Sequence, residues 1–87
     1  MKHIDWTSHA EEKIDILKRY GYFVTKEEVQ KAITPAAKRF EARGGRKAIH
    51  KIIDDTHILR VIIEEKNDKV VVVTFYPARR SRYENPV

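Results

Sequence analysis

The chain has 87 residues, no cysteine and a formal net charge of +5. A chain of that length makes one domain, 1–87, with a thin core that buries roughly 60–65% of its unfolded surface. Disulfides, thiolate metal centres and thiol nucleophiles are excluded, and Met1 to Trp6 runs into polar residues, so the start reads as neither a signal peptide nor a membrane span and the expected setting is the cytoplasm.

Residues 1–7 read as a lead-in, with Trp6 able to lie over the end of the core. Ser8-His9-Ala10-Glu11 has the pattern of a capping box, with Ser8 as N-cap. Ala10, Ile14 and Leu17 then share one face, which predicts a helix over 8–20. Its acids fall early and its bases late, as the helix dipole favours. Gly21 ends it.

Thr25-Lys26-Glu27-Glu28 is a second capping box, with Val24 placed to staple onto Val29. Val29, Ala32 and Ile33 form its buried stripe, and Thr34-Pro35 stops a helix predicted over 25–34. Pro35 to Arg43 reads either as one or two further helical turns or as a loop anchored by Phe40. Gly44-Gly45 ends it.

Arg46 to Ile53 reads as a strand with apolar residues on both sides, so its facing stays open. Asp54-Asp55-Thr56 turns the chain into a hairpin, His57 to Tyr76, whose runs are rich in Ile, Val and Phe. Glu65 to Lys69 makes the polar turn. Val70 to Phe75 is apolar at nearly every position, which places that strand inside the sheet. The three strands form a meander over 46–76, and 77–87 is a basic C-terminal arm or a short fourth strand. The expected fold is α+β, with two N-terminal helices packed on a three- to four-stranded antiparallel sheet. An uncovered second face would be sticky, which points to a partner protein or a homodimer.

The positive charge is clustered. Lys38 to Lys51 holds six bases and one acid, and Arg79 to Arg82 holds three arginines. Such a field favours a polyanion, and Arg46, Lys47 and Arg80 join the candidate nucleic-acid contacts on that ground. There is no phosphate loop and no His-Glu-x-x-His. His50 and His57 could approach across a turn, but the spacing matches no metal site, so neither a metal nor a cofactor is expected. Arg60, His57, Arg79 and Tyr83 could share one surface that holds a phosphodiester. Arginine forks fit phosphate oxygens, and histidine or tyrosine can move a proton. A plain phosphate-binding patch without catalysis is the alternative.

Ser8-His9-Ala10, Thr25-Lys26-Glu27-Glu28-Val29, His57-Ile58-Leu59-Arg60-Val61 and the run from Val72 to Tyr83 together resemble the small bacterial and archaeal domain-of-unknown-function family 4258. The resemblance covers roughly 8–84, and its most specific part is the hairpin with its arginine-tyrosine tail. That family is similar in outline to the RelE/ParE-like toxin fold. The RelE branch cleaves messenger RNA and the ParE branch poisons gyrase, so the resemblance implies RNA as a substrate and an antitoxin-like protein as the partner. The resemblance implies Arg60, Arg79 and Arg82 as phosphate contacts and Tyr83 as proton carrier. His9 and His57 match recurrent histidines without an assigned role. The chain departs from a strongly charged RelE surface, since its central strands are mainly apolar.

The expected function is a toxin-like, metal-independent endoribonuclease that uses 2′-hydroxyl attack. Tyr83, His57 and Arg82 are its catalytic candidates, and His9 and His50 mark a further candidate site. Two alternatives stand beside it: a non-enzymatic module that binds nucleic acid or protein, and a toxin acting on a protein such as gyrase.

Overall fold

The computed structural model describes residues 3–83. The elements run β1 (His3–Trp6), α1 (Ser8–Arg19), α2 (Lys26–Ala32), β2 (Phe40–Glu41), β3 (Lys47–Ile52), β4 (His57–Glu65), β5 (Lys69–Arg79) and α3 (Arg80–Tyr83). They form a small α+β domain with the helices α1 and α2 ahead of most of a five-stranded sheet ordered β1-β5-β4-β3-β2. The sheet is mixed, because β1 lies parallel to β5 while every other pair is antiparallel. This corrects the all-antiparallel sheet of three or four strands. The lead-in is a strand, and Phe40–Glu41 adds another at the far edge.

The helix ends follow local chemistry. Thr7, not Ser8, caps α1: its hydroxyl accepts from the Ala10 amide at 3.0 Å. The same hydroxyl donates toward the carbonyls of Val72 and Val73, at 3.3 and 2.9 Å. One threonine thus closes the helix and ties it to β5, which no local sequence signal reveals. Leu17 and Lys18 carbonyls accept from Tyr22 and Gly21 amides, and Gly21 sits at φ 88°. This is a left-handed helix stop, which glycine enters without Cβ strain. Thr25 caps α2 as expected, accepting from the Glu28 amide at 3.1 Å. α2 ends at Ala32 with Ile33 as its C-cap; residues 34–39 form a turn with no further α-helix, and a short 3-10 turn, Arg43–Gly45, follows β2.

Residues in register share a face of the sheet. Ile49, Leu59, Val61, Ile63, Val70, Val72 and Phe75 point to the helices and meet Ala10, Leu17 and Val29 in one core. Phe75 and Val72 are fully buried there, and Trp6 packs edge-on to Phe75 with centroids 6.1 Å apart. The opposite face carries Ala48, His50, Arg60, Ile62, Thr74 and Tyr76. A register shift between Ile62 and Ile63 leaves Val73 as the extra residue of β5. The shift lets Phe75 and Val72 both face the core.

β5 runs on through Pro77 to Arg79, past the point where β1 stops at Val72. Among the described residues one side of β5 has no partner strand there, which is where a strand tolerates proline. The tail from Arg80 is then a single helical turn, correcting the arm or fourth strand for residues 80–83. The remainder of that expectation, 84–87, lies outside the described residues.

Candidate functional site

Strand parity divides the expected site in two. His57 and Arg60 are three residues apart on β4, so they point to opposite faces. His57 lies on the helix side, opposite Arg79 in register, while Arg60 lies on the helix-free side opposite Tyr76 and His50. The single surface of Arg60, His57, Arg79 and Tyr83 is therefore replaced by two clusters. By the same parity, His50 and His57 do not converge.

The first cluster is a row across the helix-free face. Arg60 Nε donates to the Tyr76 hydroxyl at 3.0 Å. Its Nη1 lies 3.0 Å from His50 Nε2. Arginine has only donors, so His50 Nε2 must be the acceptor and carries no proton there. The guanidinium also sits 4.5 Å from the centre of the Tyr83 ring, a cation–π contact. His50 stacks on Phe40, with centroids 4.2 Å apart and planes 13° apart, and lies 5.3 Å from the Tyr83 ring. Lys38 extends the row, with Nζ 4.9 Å from the Phe40 centroid. β2, β3, β4, β5 and α3 each supply one side chain.

The electrostatics of this row are unusual for a half-buried arginine. Among the described residues Arg60 has no carboxylate partner. Of its five N–H groups, one goes to Tyr76 and one to His50. The others remain available for an anion. The neutral partners hold the fork in place while leaving its charge uncompensated.

The second cluster lies where β4, β5 and α3 meet on the helix side. A cavity of about 410 Å³ is lined by Tyr22, His57, Arg79 and Arg82, together with Pro77, Ala78 and Ser81. Asp54, outside the lining, holds the turn that leads into His57. Its Oδ1 accepts from the amides of Thr56 and His57, each at 2.8 Å, and from the Thr56 hydroxyl at 3.1 Å. His57 Nδ1 lies 3.2 Å from the same oxygen and 2.8 Å from the Thr56 hydroxyl. A carboxylate at that position favours the tautomer with the proton on Nδ1, leaving Nε2 as the acceptor. The Thr56 amide is the main cause that holds the Asp54 carboxyl below its ordinary value of 3.8, and the hydroxyl and histidine bonds add to it.

The other expected contacts are scattered. Arg46 is paired with Glu64 at 2.9 Å and Lys47 with Glu41, so their charges are largely matched. Arg80 donates to the Asp55 carbonyl. His9 is exposed on α1, away from both clusters. Arg82 lines the helix-side cavity, while its neighbour Tyr83 reaches the other face. Sequence reasoning missed Tyr76, Phe40 and Lys38 as members of the row and Asp54 as the partner of His57. An i, i+3 Asp-His pair around a turn was the available signal for Asp54.

The expected sticky face is also revised. Ile58, Ile62 and Ala48 on the helix-free side are buried. Of the exposed large apolar residues, Phe23, Ile52 and Ile53 border a smaller groove, while Ile16 and Tyr20 lie on α1 and at its end. Among the described residues, no group of three or more His, Cys, Asp or Glu is placed to hold a metal ion, and no helix is long and apolar enough to cross a membrane. In comparisons with known proteins, the chain matches no family model, no curated protein and no solved structure.

Proposed function

We propose that the chain is a toxin-like RNA-acting protein that cleaves the RNA backbone on its helix-free face, in the manner of the RelE branch of the toxin fold to which family 4258 is similar in outline. The observation that carries the reading is Arg60. It is a half-buried guanidinium held by a phenol, an imidazole and an aromatic ring, with no acid to neutralise it among the described residues. A fixed, uncompensated fork of donors is suited to the extra negative charge of a pentavalent phosphate.

Around it stand the groups that 2′-hydroxyl attack needs. Arg60 receives the scissile phosphate through its remaining N–H groups. His50 Nε2, already unprotonated, takes the 2′-hydroxyl proton as the bound phosphate draws Nη1 off it, while the Nε bond to Tyr76 keeps the fork in place. The 2′-oxygen attacks phosphorus, and the bond to the 5′-oxygen breaks. Tyr83, whose hydroxyl has no hydrogen-bond partner among the described residues, gives its proton to the departing oxygen. The products are a 2′,3′-cyclic phosphate and a 5′-hydroxyl. The Phe40–His50 stack and Lys38 offer a flat cationic surface to a neighbouring base.

A second reading, an RNA-binding module without cleavage, draws on the same stack. The two separate in one experiment. Mixed-sequence RNA is incubated with purified protein in EDTA when naked and in magnesium when ribosome-bound, and product ends are resolved. Cyclic-phosphate products that vanish with Arg60→Ala and Tyr83→Phe support cleavage. Binding without products in either substrate supports the module and overturns the nuclease.

A further inference from the structure

We infer a second ligand site on the helix side of the sheet: the cavity between Tyr22, His57, Arg79 and Arg82 takes a nucleoside monophosphate, with its phosphate on the two arginines and its base against Tyr22. This site stands independently of cleavage on the opposite face.

Four observations converge on it. The cavity, about 410 Å³, is of the size that small ligands fill. Arg79 and Arg82 both line it, and among the described residues neither has a carboxylate partner. Two arginines match the double charge of a phosphomonoester better than the single charge of an internal diester. His57 does not rotate at random beside them, because Asp54 and Thr56 engage its Nδ1. That leaves the Nε2 edge free to accept from a sugar hydroxyl next to the phosphate.

The last observation concerns the base. Tyr22 lines the same cavity, with its ring centre 6.5 Å from that of His57 and inclined at 60°. Its backbone is fixed by the stop of α1, through the amide bond to the Leu17 carbonyl at 2.9 Å. A positioned aromatic beside a phosphate grip is the arrangement that stacks a nucleobase. The strand parity that separates Arg60 from His57 also keeps this pocket apart from the Arg60 row.

The test is an NMR titration of the whole chain with each of the four ribonucleoside 5′-monophosphates, the matching nucleosides and inorganic phosphate. At least one nucleotide produces saturable shifts at His57, Arg79 and Arg82 and binds more tightly than inorganic phosphate, while its nucleoside produces none. Arg79→Ala and Arg82→Ala each weaken the nucleotide about tenfold or more, as expected for a lost charge-assisted contact. Tyr22→Ala weakens the nucleotide and leaves inorganic phosphate unchanged. Arg60→Ala, which disables the opposite face, leaves all these affinities intact. No saturable shifts at the three residues, equal shifts from nucleoside and nucleotide, or undiminished binding in the arginine variants would each overturn the site. Both arginines line an open cavity, and retention of the wild-type spectrum elsewhere confirms that their variants fold.

Discussion

Arg60 on β4 donates from Nε to the hydroxyl of Tyr76 on β5 at 3.0 Å, across a register pair of the hairpin. The bond turns a flexible side chain into a fixed one, and His50 on the next strand holds the other end of the fork. Lysine in place of Arg60 keeps the charge but has one nitrogen and no planar fork. Arg60→Lys is therefore expected to lower RNA cleavage by about 10²-fold, the scale of losing a fixed oxyanion donor. Single-turnover rates at saturating protein measure this, and a lysine variant of near wild-type rate would remove Arg60 from the phosphate.

Two substitutions separate the chemistry of His50 from its stacking. His50→Phe keeps a ring against Phe40 and removes Nε2. The expected loss of rate is about 10²–10⁴-fold, with RNA affinity little changed. His50→Ala loses both. If His50→Phe cleaves at the wild-type rate and His50→Ala loses only affinity, His50 is a platform and not a base.

Arg82 and Tyr83 are adjacent in sequence but serve different faces. Arg82→Ala is expected to leave the rate of RNA cleavage within about twofold of wild type, whereas loss of the proton-donating Tyr83 hydroxyl in Tyr83→Phe lowers it by about 10²-fold. Parallel assays of the two variants check this. A collapse of cleavage in Arg82→Ala would place both residues at one site and undo the two-face arrangement.

These contrasts show where the sequence was readable. Helical stripes at Ala10, Ile14, Leu17 and at Val29, Ala32, Ile33 were legible because burial imposes a period along the chain. The Thr25 cap was legible because its partner Glu28 is three residues away. β1 was not, because four residues carry too little pattern and its partner is β5, more than sixty residues on. Thr7 was passed over for Ser8 because its second role depends on carbonyls of Val72 and Val73. The site was half legible. Arg60 and Tyr83 could be singled out by residue type, but Tyr76 and His50 join them only through register. Counting from His57 to Arg60 gives an odd number, and alternation alone would have split that pair.

The caps differ in what they hold, and stability should follow. Thr25→Ala removes one bond at an exposed helix start and is expected to cost about 1 kcal/mol. Thr7→Ala removes the α1 cap and the link to β5 together, and is expected to cost about 2 kcal/mol. Urea unfolding of the two variants measures the order. Equal costs would mean that the Val72 and Val73 carbonyls lose nothing when the hydroxyl goes.

The Asp54 turn gives a pH dependence with a definite sign. Its carboxyl is held below 3.8, first by the Thr56 amide and further by the Thr56 hydroxyl and the His57 ring and amide. A carboxylate whose folded value is depressed binds fewer protons in the folded state than in the unfolded one. Its contribution is fully present above the unfolded value and is lost as pH falls through the lowered folded value. The chain should therefore lose stability below about pH 4 as this group protonates. Asp54→Asn should flatten that part of the curve, because its amide no longer titrates. The contribution is small, since the group is exposed, and differential melting temperatures of the two proteins between neutral and acid pH resolve it best. The same variant tests the orientation of His57: loss of the carboxylate frees the ring tautomer, so the histidine 15N shifts should move toward the mixture of an unrestrained imidazole. Unchanged shifts would mean that Thr56 alone, at 2.8 Å from Nδ1, sets the ring.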